Sequence, residues 1–184
     1  ITADGIDLKA GYSFSNDLGQ FAANLTYTHV RQYEFSGVPG MVNGLLDSGV
    51  YDASGTTGDG NLVRSMPDNK GTLTLSWRNG NQGITLINRH IGSYRDLGYE
   101  GALTTANDFS RALLSREIDS YYTWDMQYNY NKAWDNTNLG STTFTVGLLD
   151  AFNKTLPYRE LSSLNYDATV FEGRGQRWYA RALW

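Results

Sequence analysis

From Gly5 to Phe14 every second residue is apolar or aromatic: Ile6, Leu8, Ala10, Tyr12 and Phe14 alternate with Asp7, Lys9, Gly11 and Ser13. A period of two sends successive side chains to opposite faces of a strand, and no helix can gather such a pattern on one side. The alternation recurs along the chain. Phe21, Ala23, Leu25 and Tyr27 interleave with Ala22, Asn24, Thr26 and Thr28, and Leu73, Leu75 and Trp77 with Thr72, Thr74 and Ser76. Tyr122, Trp124, Met126, Tyr128 and Tyr130 interleave with Thr123, Asp125, Gln127 and Asn129. Phe144, Val146 and Leu148 oppose Thr143, Thr145 and Gly147, and Trp178, Ala180, Ala182 and Trp184 oppose Tyr179, Arg181 and Leu183. A further strand over about 83–93 is needed to connect the third to the fifth; its phase stays open because Asn88, Arg89 and His90 are consecutive polar residues. The expectation is an all-β, antiparallel sheet of about seven strands.

Connection lengths alternate as well. Short links fall at about 15–19, 78–82 and 131–140, and long ones at about 36–66, 94–116 and 153–172. All short turns then lie on one rim and all long loops on the other, the habit of transmembrane β-barrels. Near the strand ends the apolar face carries rings: Tyr12, Phe14, Tyr27, Trp77 and Trp124. Rings with one dry and one wet edge concentrate at headgroup level, so these residues are expected to form an aromatic girdle. The other face, with Thr, Asn, Gln, Asp and Lys, suits a hydrated lumen, to which Asp125 and Arg181 are assigned; Asp125 is read either as simply hydrated or as paired with an arginine of the lumen or plug, Arg181 being that sort of partner. Aromatic cross-strand pairs in a water-soluble sheet are the competing explanation.

Composition agrees with β structure: aromatics make up 14% of the 184 residues and there are 20 glycines against three prolines. A net charge of −4 leaves no basic footprint for nucleic acid. Cysteine is absent, which excludes disulfides and thiolate metal sites. His29 and His90 lack metal-ligand spacing, and Asp52–Asp59 lacks the ligand order of an EF-hand. The acids of the Asp47/Asp52 and Asp4/Asp7 pairs are read as solvated. No nucleophile sits beside a base and no phosphate-binding glycine loop precedes a helix, so neither an enzyme nor a cofactor is expected.

The final stretch, Arg177-Trp-Tyr-Ala-Arg-Ala-Leu-Trp184, resembles the C-terminal assembly signal of outer-membrane proteins through Trp178, Ala180, Ala182 and Trp184. Leu148-Leu-Asp-Ala-Phe-Asn-Lys-Thr-Leu-Pro-Tyr158 is similar to the penultimate strand of TonB-dependent receptors, although Asp150 and Ala151 depart from its usual Asn and Leu. Tyr166-Asp167 with Gly173-Arg-Gly-Gln-Arg177, Met66-Pro-Asp-Asn-Lys70 and Arg89-His-Ile-Gly-Ser-Tyr94 follow in that family's order. The resemblance implies that residues 1–184 are the C-terminal portion of an outer-membrane barrel of about 22 strands, without its plug domain or TonB-contacting segment.

It further implies TonB-energised uptake of a scarce nutrient (siderophore, cobalamin, haem or carbohydrate). The implied partners are TonB, the plug and the rest of the barrel, outer-membrane lipid, the outer-membrane assembly machinery and a small-molecule nutrient. Ligand contacts are then expected from Tyr51, Arg64, Tyr94, Arg95, Tyr99, Arg111 and Tyr158 in the long loops. Unpaired edges in hydrocarbon cost several kcal/mol per backbone group. These residues alone are therefore expected to form an open, curved sheet, or one completed by another chain. Two other functions compete with this one: a passive outer-membrane pore or other barrel without a plug, and a soluble all-β carbohydrate-binding module.

Overall fold

The computed structural model describes residues 1–36, 50–57, 65–96, 116–134, 140–159 and 162–184. Seven long strands follow the alternating segments: β1 (Thr2–Asn16), β2 (Gly19–Ser36), β5 (Asn69–Asn79), β6 (Gln82–Ile91), β9 (Tyr121–Ala133), β10 (Ser141–Leu149) and β11 (Arg177–Leu183). They pair antiparallel in the order β1-β2-β5-β6-β9-β10-β11, and β3 (Val50–Asp52) extends the far end of β2. A second, small sheet joins β4 (Thr56–Thr57), β7 (Tyr94–Asp96) and β8 (Arg116–Ile118).

Turn chemistry sets the hairpins at one end of the sheet. Asp17 and Leu18 link β1 to β2, with Gly19 at φ +123°, and Gly80-Asn81 links β5 to β6, with Gly80 at φ +56°. Both glycines take a left-handed conformation that a Cβ disfavours. The long links leave from the opposite end, and their described parts fold back there.

The register fixes both faces. One row across the sheet is Tyr12, Ala23, Leu75, Leu86, Met126, Leu148 and Trp178; the next is Phe14, Phe21, Trp77, Ile84, Tyr128, Val146 and Ala180. The other face carries Asn24, Thr74, Ile87 and Asp125 in one row and Thr26, Thr72, Arg89 and Thr123 in another. The phase of β6 is thereby settled. Arg89 lies on the polar face, while Asn88 and His90 share the face of Trp124 and Tyr122.

The barrel expectation is corrected. Among the described residues the sheet is open, as expected of these residues by themselves, but nothing completes it: β1 and β11 each have one neighbour, and they do not pair with each other. Among the described residues no barrel wall closes and no lumen is enclosed, so the fold is an antiparallel β-sheet domain. Alternation specifies a sheet with one dry and one wet face, which antiparallel sheets in general possess. Alternating link lengths specify hairpin order. Neither specifies closure, and neither says what covers the dry face.

Several of the rings expected to form the aromatic girdle have local partners. Trp77 Nε1 donates to the Leu18 carbonyl at 2.8 Å, and the Tyr27 hydroxyl donates to Asn69 Oδ1 at 2.5 Å. The polar ends of these rings are thus satisfied within the chain. Phe14 stacks on Phe21 at 4.9 Å, and Tyr12 tilts against Phe14 at 5.9 Å. Trp124 lies on the same apolar face, opposite Asn88.

Among the described residues, the buried hydrophobic ones lie at the end where the long links return: Ala53, Tyr94, Ile118, Tyr121 and Phe171. Tyr94, Ile118, Tyr121 and Phe171 pack as one cluster, flanked by Ile91, Leu156, Tyr166 and Val170. Phe171 meets Tyr121 edge-on at 5.2 Å and Tyr94 at 6.3 Å. This knot roofs one end of the polar face and positions the site.

Candidate binding cleft

Beside the knot, the polar faces of β6, β9 and β10 and the 170–177 segment enclose a cleft of about 390 Å³. Its wall on the sheet is an ion pair. Arg89 on β6 donates through Nη1 to Asp125 Oδ2 on β9. Arg89 is opposite Thr123 and Ile87 opposite Asp125, so the pair runs diagonally between neighbouring strands, within reach of a long side chain. Asp125 is 7% exposed, and its second oxygen accepts the Asp150 amide at 2.9 Å. One carboxylate therefore anchors both the guanidinium and the turn that follows β10.

That turn is held in an uncommon shape. Asp150 and Asn153 both sit at φ +47°, a left-handed conformation that Asp and Asn tolerate better than most residues. Asn153 Oδ1 accepts the Gln176 amide at 3.2 Å, and Gln176 Nε2 donates to the Ala151 carbonyl at 2.8 Å. These bonds stitch the turn to the entrance of β11. Glu172 then bridges Arg174 (3.0 Å) and Arg177 (3.2 Å) across the rim. Arg177 Nε is buried with no hydrogen-bond partner among the described residues. Tyr121 and Phe171 of the knot complete the lining. Burial, and then the nearby Asp150 carboxylate, push the Tyr121 hydroxyl above its ordinary pKa, keeping it a neutral donor, here to the Lys154 carbonyl at 3.2 Å.

A buried polar network fixes the roof from behind. The Tyr94 hydroxyl donates to Asp167 Oδ2 at 2.9 Å; the Thr169 amide and hydroxyl donate to Oδ1 at 3.0 and 2.6 Å. Asp167 is only 1% exposed. Burial alone would raise its pKa, but hydrogen bonds from Ser65, Thr169 and Tyr94 outweigh it and hold the carboxyl below its ordinary value. Burial, reinforced by the Asp167 charge, pushes Tyr94 far up. Arg159 Nε donates to the buried Asp96 at 2.8 Å. Burial opposes the Arg159 charge, yet the bond and the charge of Asp96 prevail and raise its pKa.

Of the loop residues expected to contact a ligand, the described ones do not line this cleft. Tyr94 is 2% exposed and belongs to the packed knot, because its ring is needed against Phe171 and its hydroxyl against Asp167. Arg95 is exposed in β7, Tyr158 is exposed beyond β10, and Tyr51 lies in β3. Arg64, Tyr99 and Arg111 lie outside the described residues, as do Asp47 and Asp59. Asp52 accepts the Tyr33 and Ser54 amides, each at 3.0 Å, and these bonds outweigh burial to lower its pKa. Asp4 pairs with Arg31 at 2.7 Å, and Asp7 accepts the Thr28 hydroxyl at 2.6 Å. Among the described residues no cluster of three or more His, Asp or Glu could hold a metal.

Asp125 and Arg181 share the polar face, but the partner of Asp125 is Arg89, which the phase of β6 brings within reach. Trp178 is 70% exposed, Ala180 and Ala182 follow it on the apolar face, and Trp184 is 84% exposed. Missed in the sequence were Arg89, Asp150, Phe171 and Arg177. The diagonal from Arg89 to Asp125 was within reach of a register argument, whereas Phe171 and Arg177 come from a segment without periodicity.

No family model, curated protein or solved structure matches the chain. With that result and an open sheet, the resemblance to TonB-dependent receptors is corrected. The chain is not assigned to that family, and TonB-energised uptake, the outer-membrane location and the plug, barrel, TonB, lipid and assembly-machinery partners do not stand. The motifs behind the resemblance are short and built from residues that β-hairpins and strand ends favour generally.

Proposed function

We propose that this chain is an all-β binding module whose cleft takes a small, uncharged, hydroxyl-rich ligand of the carbohydrate class, and that it binds without catalysing a reaction. The observation that carries this reading is a single cleft lined by the knot residues Tyr121 and Phe171 together with the fixed Arg89–Asp125 pair and Arg177. Aromatic rings cover the C–H surface of a sugar, while carboxylates and guanidinium groups bond neighbouring hydroxyls in a planar, directional manner. The cleft falls within the usual size of small-molecule sites. Its charged lining is nearly balanced, Arg89 and Arg177 against Asp125, Asp150 and Glu172, which favours a neutral ligand over an anion.

Titration of the intact chain with a panel of mono- and oligosaccharides, followed by two-dimensional NMR, tests this. Saturable shifts confined to residues 89, 121–125, 150 and 171–177, and lost in Arg89→Ala, are expected. If no sugar in the panel moves those resonances, the reading fails.

A further inference from the structure

The largest feature left unexplained is the apolar face. The two rows that cross all seven long strands, near the short-turn end, carry no charged residue, yet they are open to solvent. Tyr12 is 69% exposed, Phe14 46%, Ile84 40%, Val146 48% and Trp178 70%. A 260 Å³ hollow between Tyr12, Phe14, Phe21, Leu75 and Trp77 adds relief to the surface.

We propose that this face is an interface between two copies of the chain, packed sheet on sheet. Seven strands at a spacing of ~4.8 Å and about four same-face positions along each give a flat area on the order of 700 Å². A stable interface averages roughly 800 Å² per partner, and exposed apolar patches beyond a few hundred Å² mark association surfaces. At about 700 Å² the face lies a little below that mean and within the span of stable interfaces, roughly 600–1,000 Å² per partner. A second copy suits the face for two further reasons. With no charge in these two rows, self-apposition there buries no like-charge pair. A two-fold axis parallel to the strands reverses their order, so β11 of one copy lies over β1 of the other. Tyr12 and Trp178 occupy the same row, which brings the projecting Trp178 ring of each copy over the hollow of its mate. Aligned sheets in this arrangement stand about 10 Å apart.

The same axis runs over β6, the middle strand of the seven, midway between the sheets, so Ile84 faces its own counterpart. The chain has no cysteine, and Ile84→Cys therefore introduces a unique thiol. A short bismaleimide is expected to join two copies of Ile84→Cys but not of Thr85→Cys, whose side chain points to the other face. Sedimentation velocity of the full chain in detergent-free buffer is expected to give twice the 20.5 kDa mass. Val146→Asp should weaken the dimer at least tenfold, with a circular dichroism spectrum unchanged from the parent to show that it folds. The proposal is overturned by a monomer at all concentrations, or by equal cross-linking of the two thiol variants. It is equally overturned if the chain stays monomeric while co-floating with phosphatidylcholine vesicles, since lipid would then cover the face. None of these outcomes depends on a ligand in the cleft.

Discussion

The Tyr179 ring lies across Gly147 on the neighbouring strand, and its hydroxyl donates 2.7 Å to Gln127 one strand further on. A Cβ on Gly147 would fall 2.2 Å from the ring, so glycine is what permits the crossing. The contact ties β9, β10 and β11 together on the polar face. Gly147→Val should expel Tyr179 and break the bond to Gln127, at a cost of about 1–3 kcal/mol from the clash and lost bond. Urea unfolding measures the cost. Gly147→Val in a Tyr179→Ala background should lose much less, and equal losses in both backgrounds would show that the ring is not the cause.

Asp125 serves two donors at once, Arg89 and the Asp150 amide. Arg89 is half exposed, so the ion pair itself contributes little, whereas the amide is left without its acceptor when the carboxylate goes. Asp125→Ala should therefore destabilise by about 1–3 kcal/mol, and Asp125→Asn, which retains an acceptor oxygen, by less. Hydrogen exchange at the Asp150 amide separates them: fast in the alanine variant, protected in the asparagine one.

The buried Tyr94–Asp167 bond makes stability depend on pH at both extremes. Asp167 has its pKa depressed on folding, so its contribution is complete above the unfolded carboxyl value of about 3.9 and is lost as pH falls through the folded value. Tyr94 has its pKa raised, so its contribution is complete below about 10 and is lost as pH climbs beyond that. Melting temperature against pH should fall at both ends. Asp167→Asn should flatten the acid limb and Tyr94→Phe the alkaline one; limbs that keep their slopes in these variants would place the titration elsewhere.

Legibility in the sequence followed physical period. Where one face is apolar, as in Leu73-Thr-Leu-Ser-Trp77, a one-residue slip exposes every apolar side chain, so strand and phase can be read directly. In β6 the run Asn88-Arg89-His90 blurred the phase, because His90 and Asn88 sit on the apolar side near the strand's end, where that face is least demanding. The cleft was half visible. Asp125 was on the page as a polar-face acid, but its partner depended on the β6 phase, and Phe171 and Arg177 enter from a segment whose shape rests on Asp150, Asn153 and Asn165 at positive φ. Such positions are set by tertiary hydrogen bonds rather than by local preference. What covers an apolar face is not encoded in its period at all, and the barrel reading went beyond what period two can carry.

Phe171 offers the sharpest test of how the roof is held. It is 5% exposed, sits edge-on to Tyr121 and beside Tyr94, and brings the 166–172 segment against the sheet. Truncation to alanine in a packed core costs about 3–5 kcal/mol. Here the knot lies at one end of the sheet, away from the long pairings of β1, β2 and β5, so part of that cost can be met by releasing the segment alone. Phe171→Ala should therefore raise hydrogen exchange at the Val170, Phe171 and Thr169 amides by orders of magnitude, while the central amides of β5 and β6 change far less. Phe171→Leu, which refills most of the volume, should restore protection. Uniform acceleration across β5 and β6 would instead mean that the knot and the sheet unfold as a single unit.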